Sequence, residues 1–337
     1  GILNVTPDSF ADGGRHNEFD AAVLRGLEMI AEGVDIIDIG GESTRPGADR
    51  VSEEEEIART IPVVTELAKH GVTISIDTMR ATTAEAAIKA GASIINDVSG
   101  GLSDSEMLQT AAHLQVPYIA MHWRGASKDM NSKAIYGDVV NDVLAELNER
   151  IEAALDAGIA KDKLIIDPGI GFAKDAEHNW AIIDSIEAKY TVDKSRVWAV
   201  GFSNGGMLSY RLACELSDKI TAIGVGAGSL MSKTCNTTKP VSIIHLHGAS
   251  DADIMFNGSG FYNTRDVVSN ITTVNNQFGC TDVSATLSKI VGQTDWKWTC
   301  PNGTEVQVIK YDGQGHEWTF PWTKEVIKFL FAHPRMP

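Results

Sequence analysis

Six short apolar runs in the first half of this 337-residue chain end in a residue able to hydrogen-bond or titrate: Asn4, Asp38, Asp77, Asn96, His122 and Asp167. One polar strand end alone reads as a helix cap. Six of them read as a rim, because clustered acids repel one another and lower stability unless a ligand uses them. Asp77, Asn96 and Asp167 would offer two carboxylates and an amide to a planar, donor-rich heterocycle. Charge-assisted hydrogen bonds of that kind are about twice as strong as neutral ones. A second constellation lies downstream, where Gly201–Phe202–Ser203–Asn204–Gly205 follows an apolar run and precedes a helical one. That is the context a nucleophile elbow requires. Asp251 and His316 end later segments, so the order is Ser203, Asp251, His316, in which the imidazole takes the serine proton and the carboxylate orients the imidazole. Asp253 is a nearby rival to Asp251. His245 and His247 alternate on a strand and read as structural, and Trp296, Trp298, Trp318 and Trp322 as core or cleft wall.

The elements that must position these residues alternate. Over residues 1–183, β-branched runs near Gly1–Val5, Asp35–Ile39, Val72–Asp77, Ser93–Val98, Pro117–His122 and Lys163–Asp167 predict strands. Between them, apolar residues three and four apart, as in Ala21–Ala31 and Val139–Ala157, predict helices. The class is α/β with a parallel sheet, whose carboxyl-end loops carry the site. Ser52 with Glu55 has capping-box spacing, so the acidic run 53–56 reads as a helix start and not a metal site. Further on, Arg196–Val200 and Ile220–Val225 predict strands and Met207–Leu216 a helix.

Composition breaks near residue 183. The first part holds 31 Asp and Glu against 15 Lys and Arg; the second holds 14 against 14. All four cysteines (Cys214, Cys235, Cys280, Cys300) lie in the second part, with 16 of the 23 aromatics and four of five Asn-x-Ser/Thr sequons. The first part reads as cytoplasmic, the second as disulfide-permissive and exported, although no secretory leader is seen. Pairing Cys214 with Cys235 and Cys280 with Cys300 is one of three connectivities. A net charge of −16 argues against a nucleic-acid partner, and no run is long enough for a membrane span.

The motifs Gly1–Ile2–Leu3–Asn4–Val5–Thr6–Pro7–Asp8–Ser9–Phe10, Gly40–Gly41–Glu42–Ser43–Thr44–Arg45–Pro46–Gly47, Ile76–Asp77–Thr78, Ile95–Asn96–Asp97 and Asp167–Pro168–Gly169–Ile170–Gly171–Phe172 occur in order. Residues 1–183 resemble dihydropteroate synthase in them. That resemblance implies a (β/α)8 barrel joining 6-hydroxymethyl-7,8-dihydropterin diphosphate to 4-aminobenzoate. It implies that Asp77, Asn96 and Asp167 hold the pterin, and that Asn4 faces the diphosphate and its Mg²⁺. Thr44 and Arg45 would lie in a loop enclosing 4-aminobenzoate, with Phe172 at the pocket wall and Gly13, Gly14, Pro46 and Gly47 letting loops close. Small-molecule substrates follow, with no nucleic acid or membrane, and a homodimer is left open. Residues 184–337 resemble the C-terminal half of polyhydroxybutyrate depolymerase and feruloyl-esterase-like serine hydrolases, carried by Phe202–Ser203–Asn204–Gly205–Gly206–Met207 and Tyr210–Arg211–Leu212–Ala213–Cys214. That half implies no cofactor.

Neither resemblance runs to completion. The synthases' last two strands carry a Ser-Arg-Lys and an Arg-x-His; here Asn204 and Gly205 occupy the Arg and Lys places, and no Arg-x-His follows. The hydrolase half lacks the opening loop whose N–H completes an oxyanion hole. The expected architecture is a partial TIM-type (β/α)8 barrel (1–183) followed by a partial α/β-hydrolase sheet (184–337), a fusion near Ala181–Asp184. Within it two arrangements are open: the elbow strand replaces barrel strand seven beside Lys163–Asp167, or each part keeps its own open sheet.

Overall fold

The structure, a computed structural model, describes residues 1–6, 15–44, 48–259, 264–280 and 288–335. The chain divides into two compact units, Gly1–Thr191 and Val192–Pro337.

In the first unit, β1 (Ile2–Asn4), β2 (Ile36–Gly40), β3 (Thr73–Asp77), β4 (Ile94–Asp97), β5 (Tyr118–Met121) and β6 (Leu164–Asp167) form one parallel sheet in sequence order. They alternate with α1 (Arg15–Ala31), α2 (Glu53–Ala68), α3 (Ala81–Ala90), α4 (Met107–Leu114), α5 (Val139–Asp156) and α6 (Ala176–Lys189). Side chains alternate between the faces of a strand. One face carries Leu3, Ile37, Ile39, Ile74, Ile76, Ile95 and Tyr118, buried against Ala22, Val64, Leu67, Ala84 and Ala111 of the helices. At about 25 cal/mol per Å² of apolar area removed from water, this layer supplies most of the unit's stability. Ser52 caps α2, its Oγ accepting from the Glu55 N–H at 3.2 Å.

The opposite face holds the rim. The pairings Asn4↔Gly40, Gly40↔Asp77 and Asp77↔Asn96 run as one row across four strands. Met121↔Asp167 joins β5 to β6. Toward the other strand ends, the same face exposes Ile2 at 73%, Ile36 at 42% and Ile165 at 46%. These would point inward in a closed barrel. Here β1 and β6 are the two ends of the sheet, so among the described residues the ring is open.

In the second unit, β7 (Trp198–Phe202), α7 (Asn204–Glu215), β8 (Ala222–Gly226), β9 (Ser242–Gly248), α8 (Val267–Phe278), β10 (Ser288–Ile290), β11 (Gln293–Thr299), β12 (Glu305–Tyr311) and α9 (Phe320–Ala332) follow. The sheet order is β10-β11-β12-β9-β8-β7, with β7, β8, β9 and β12 parallel and β10 and β11 antiparallel. Trp322, Val326 and Phe329 of α9 pack on Ala222, Ile244, Leu246 and Ile309. Disulfides join Cys214 to Cys235 and Cys280 to Cys300.

The elbow strand therefore does not complete the first sheet. β7 pairs with β8 along its whole length, Trp198↔Ala222 through Phe202↔Gly226. Every residue of β8 and β9 is buried. A strand buried on both faces needs partners on both edges for its peptide groups, and moving β7 beside β6 would strip one edge of β8.

Candidate functional site

At the first unit's rim, parallel register places Asp77 and Asn96 side by side on one face. Gly40, at the end of β2, makes room between neighbours. A Cβ there would lie 3.3 Å from Asp77 Oδ2 and 3.7 Å from Asn4 Oδ1, so two oxygens converge over a bare backbone. Asn96 Nδ2 donates to Asp38 Oδ2 at 3.1 Å. Burial raises the Asp38 pKa above the ordinary carboxylate value, against the hydrogen bond from Asn96. Asp77 is raised well above it, first by burial and then by the carboxylates of Asp38, Asp97, Glu56 and Glu42. An acid held toward its neutral form can donate as well as accept a hydrogen bond.

Asp167 ends β6, and its Oδ1 accepts from the Gly169 N–H at 2.7 Å. Phe172 packs on Met79, Val98 and Met121, giving the rim an apolar patch beside its carboxylates. Thr44 is half-buried after β2, while Arg45, Pro46, Gly47, Gly13 and Gly14 lie outside the described residues. The loops below are pinned by groups with no spacing signal. Glu56, in the acidic run, is buried. It accepts from Thr78 Oγ1 at 2.6 Å and pairs with Arg80, which also reaches Glu42 at 2.9 Å. Asp97 is buried on the helix side, accepting from Tyr118 and Ser99.

The second unit brings together three residues spread over 113 positions of sequence. Ser203 Oγ lies 2.9 Å from His316 Nε2, and His316 Nδ1 lies 2.8 Å from Asp251 Oδ2. Ser203 stands between β7 and α7 with φ 54° and ψ −117°, a strained backbone. Gly201 must lack a side chain, since a Cβ would overlap the Gly205 backbone. Ser203 directly precedes α7, whose first N–H groups, starting at Asn204, have no intrahelical acceptor. Burial would raise the Asp251 pKa, but the His247 imidazole 3.4 Å away and hydrogen bonds from His316 and the Ile254 N–H hold it far below the ordinary value. The Asp251 bond in turn raises His316. Asp253 is not the imidazole's partner; its N–H donates to Asp251 Oδ1 at 3.0 Å.

His245 and His247 are structural in a specific way. Tyr210 OH meets His245 Nδ1 at 2.7 Å, His245 Nε2 meets His247 Nδ1 at 2.9 Å, and His247 Nε2 donates to the Ile254 carbonyl at 2.6 Å. The carbonyl can only accept, which fixes both tautomers and makes Tyr210 the first donor. The chain ends on the loop that holds Asp251.

No group of three or more His, Cys, Asp or Glu able to hold a metal occurs among the described residues. No described helix is long and apolar enough to cross a membrane.

A single parallel sheet with helices on one face and a polar rim at its carboxyl ends defines the first unit as a barrel-type α/β ligand-binding architecture. The chain belongs to the pterin binding enzyme family, whose sequence profile matches residues 1–234. Dihydropteroate synthase of Mycobacterium leprae is 50% identical over 187 residues, which are 55% of this chain and 66% of that protein. The Bacillus subtilis synthase is 49% identical over 188 residues, covering 56% and 64%. This chain thus spans just under two thirds of the length of these relatives. Among solved structures, Xanthomonas albilineans dihydropteroate synthase with 4-aminobenzoic acid matches with TM-score 0.51 and 41% identity, over 67% of this chain and 71% of that one. The Yersinia pestis synthase in a sulfonamide complex gives 0.52 and 37%, over 67% and 72%.

Proposed function

We propose that the first unit binds a pterin on its rim and derives from a dihydropteroate synthase, which condenses 6-hydroxymethyl-7,8-dihydropterin diphosphate with 4-aminobenzoate. The observation that carries this is the row Asn4, Gly40, Asp77, Asn96 with Asp167 on the same face. Asp77, Asn96 and Asp167 would take the donors and acceptors of the pterin edge, and Phe172 would cover its face. A methylene that turns cationic as diphosphate leaves would be favoured by the carboxylate of Asp77 in its ionised form. Thr44 and Arg45 would enclose 4-aminobenzoate. Asn4 Oδ1, converging with Asp77 Oδ2, suits a hard cation; Mg²⁺ would be held by Asn4 with the diphosphate and water, where it would offset leaving-group charge. The synthases' last two cationic motifs are not found in β7 and β8, so turnover is expected to be several orders of magnitude slow while pterin binding persists. Calorimetry with a pterin tests the reading: wild type should bind weakly and Asp167→Ala should not. Equal binding by both sinks it.

A second reading is favoured by the 2.9 Å and 2.8 Å contacts that join Ser203, His316 and Asp251. Residues 192–337 would be the C-terminal portion of an α/β-hydrolase, a serine esterase needing no cofactor. His316 Nε2 would accept the Ser203 proton as the hydroxyl attacks an ester carbonyl. The Asn204 N–H alone would receive the oxyanion, and a missing second donor costs roughly 10²–10³ in rate. A fluorophosphonate should label wild type slowly and Ser203→Ala not at all; no labelling of either counts against it.

A further inference from the structure

The loop that follows β6 is gripped by a lysine that none of the roles above uses. Lys174 is buried, and its ammonium donates to the Gly169 carbonyl at 3.0 Å, the Phe172 carbonyl at 3.1 Å and His122 Nδ1 at 2.9 Å. Those are all three of its protons. Because His122 accepts at Nδ1, its own proton sits on Nε2, which donates to Glu146 Oε2 at 3.0 Å. Glu146 is held in turn by Arg124. The guanidinium of Arg124 lies 3.8 Å over the Tyr136 ring, and Tyr136 donates to the Ala173 carbonyl at 3.0 Å. The loop is thus fastened from two sides.

Gly169 is the joint. Its N–H is taken by Asp167 and its C=O by Lys174. Its φ is +66°, and a Cβ would sit 2.6 Å from the His122 carbonyl oxygen. The orientation of the Asp167 carboxylate and the position of the ammonium are therefore coupled through the backbone of one residue, whose N–H and C=O lie in successive peptide planes joined at the Gly169 Cα. Among the described residues no carboxylate touches the ammonium, so it is not a salt bridge placed for stability. A buried cation solvated only by carbonyls and an imidazole is costly compared with an apolar side chain of that volume.

We propose that Lys174 is a positioning residue of the pterin pocket: resting on His122, it clamps the Gly169 peptide and the Phe172 carbonyl, setting the Asp167 carboxylate and the Phe172 ring before a ligand arrives. This rests on the pterin reading of the first unit. The charged groups facing Lys174 are Asp167 and Glu146, which favour the ammonium, and Arg124, which opposes it. Burial and then Arg124 lower its pKa to about 8, and burial with Lys174 lowers His122 to about 4. Above pH 8 the neutral amine has two protons for three acceptors, and the clamp loosens.

The experiment compares wild type, Lys174→Met (which keeps the apolar stem) and His122→Gln (whose amide oxygen can still accept from Lys174). Pterin affinity is measured from pH 6.5 to 9, with hydrogen exchange at the Gly169 and Phe172 amides. Lys174→Met should bind about tenfold or more weakly at pH 7, one unmade charged hydrogen bond. The gap to wild type should narrow past about pH 8, where wild type loses its own clamp. Ionisation of the ligand is common to both and cancels in that ratio. Exchange at Gly169 and Phe172 should quicken about tenfold while β3 amides stay protected, and His122→Gln should stay near wild type. Equal affinity with an unchanged pH dependence, or unchanged exchange, overturns the proposal. If wild type binds no pterin, the pterin reading falls and the exchange rates alone judge the clamp. If Lys174→Met does not fold, the wild-type pH series decides, since protection at Gly169 relative to β3 must then drop past about pH 8.

Discussion

Asn96 Nδ2 reaches across β3 to donate to Asp38 Oδ2 at 3.1 Å, passing the strand whose end carries Asp77. Three polar side chains from consecutive strands thus share one face, with two carboxylates and one amide between them. The amide's donor is taken within the protein, while Asp77 is the more strongly raised of the two acids.

Asp38→Asn should lower the Asp77 pKa, because it removes the carboxylate that most opposes ionisation there. Burial still dominates, so Asp77 should remain above the ordinary carboxylate range. Carboxyl ¹³C titration reads this directly; a rise, or no change, would contradict the coupling.

Asp77→Asn should stabilise the fold near neutral pH by about 1 kcal/mol, the scale typical of relieving a strained functional group. The sign follows from linkage. The folded pKa of Asp77 is raised, so the folded state binds the extra proton between the unfolded and folded pKa values. Stability falls as pH rises through that window, and the cost is full above it. The variant should be less sensitive to pH over the same window and should bind pterin more weakly. Thermal melts at several pH values decide it.

On the esterase reading proposed for the second unit, ester cleavage should rise with pH through a midpoint above that of an ordinary histidine. His316 must be neutral to take the Ser203 proton, and Asp251 raises its pKa. Asp251→Asn should move that midpoint down and cut the rate by as much as ~10⁴. His247→Leu should disturb the Asp251 loop and weaken the same effect, since His247 Nε2 holds the Ile254 carbonyl. A midpoint that Asp251→Asn leaves in place would remove the triad from the mechanism.

Much of this was legible in the sequence where one residue type has one local reason. The strand ends Asp77, Asn96 and Asp167 stand where the alternation predicts. The Ser52 cap and the Gly-x-Ser-x-Gly turn depend only on neighbours in the chain. Lys174, His122, Glu146 and Arg124 were not legible as a set, because they come from separate elements and no spacing links them. Glu56 was masked by its own run: three of its acidic neighbours belong to the helix start, and only folding shows that the fourth turns inward to Arg80. The choice between one completed ring and two open sheets was equally out of reach, since it turns on which edge β8 needs covered.

The open face of the first sheet should govern self-association. Ile2, Ile36 and Ile165 expose large apolar side chains on one face, and the outer edges of β1 and β6 pair with no other described strand. Exposed edges beside apolar side chains template pairing between chains. Ile165→Lys places a charge beside the β6 edge and removes apolar area that packs on nothing in the helix layer. Because Ile165 is 46% exposed, the folding stability should change by less than ~0.5 kcal/mol. Ile166, whose side chain faces the helices and packs against the core, is the control. Ile166→Lys should lower the melting temperature sharply and increase aggregation. Light scattering at rising protein concentration checks the pair: Ile165→Lys should delay association relative to wild type. An unchanged onset for Ile165→Lys, with Ile166→Lys destabilised as expected, would place the association surface elsewhere.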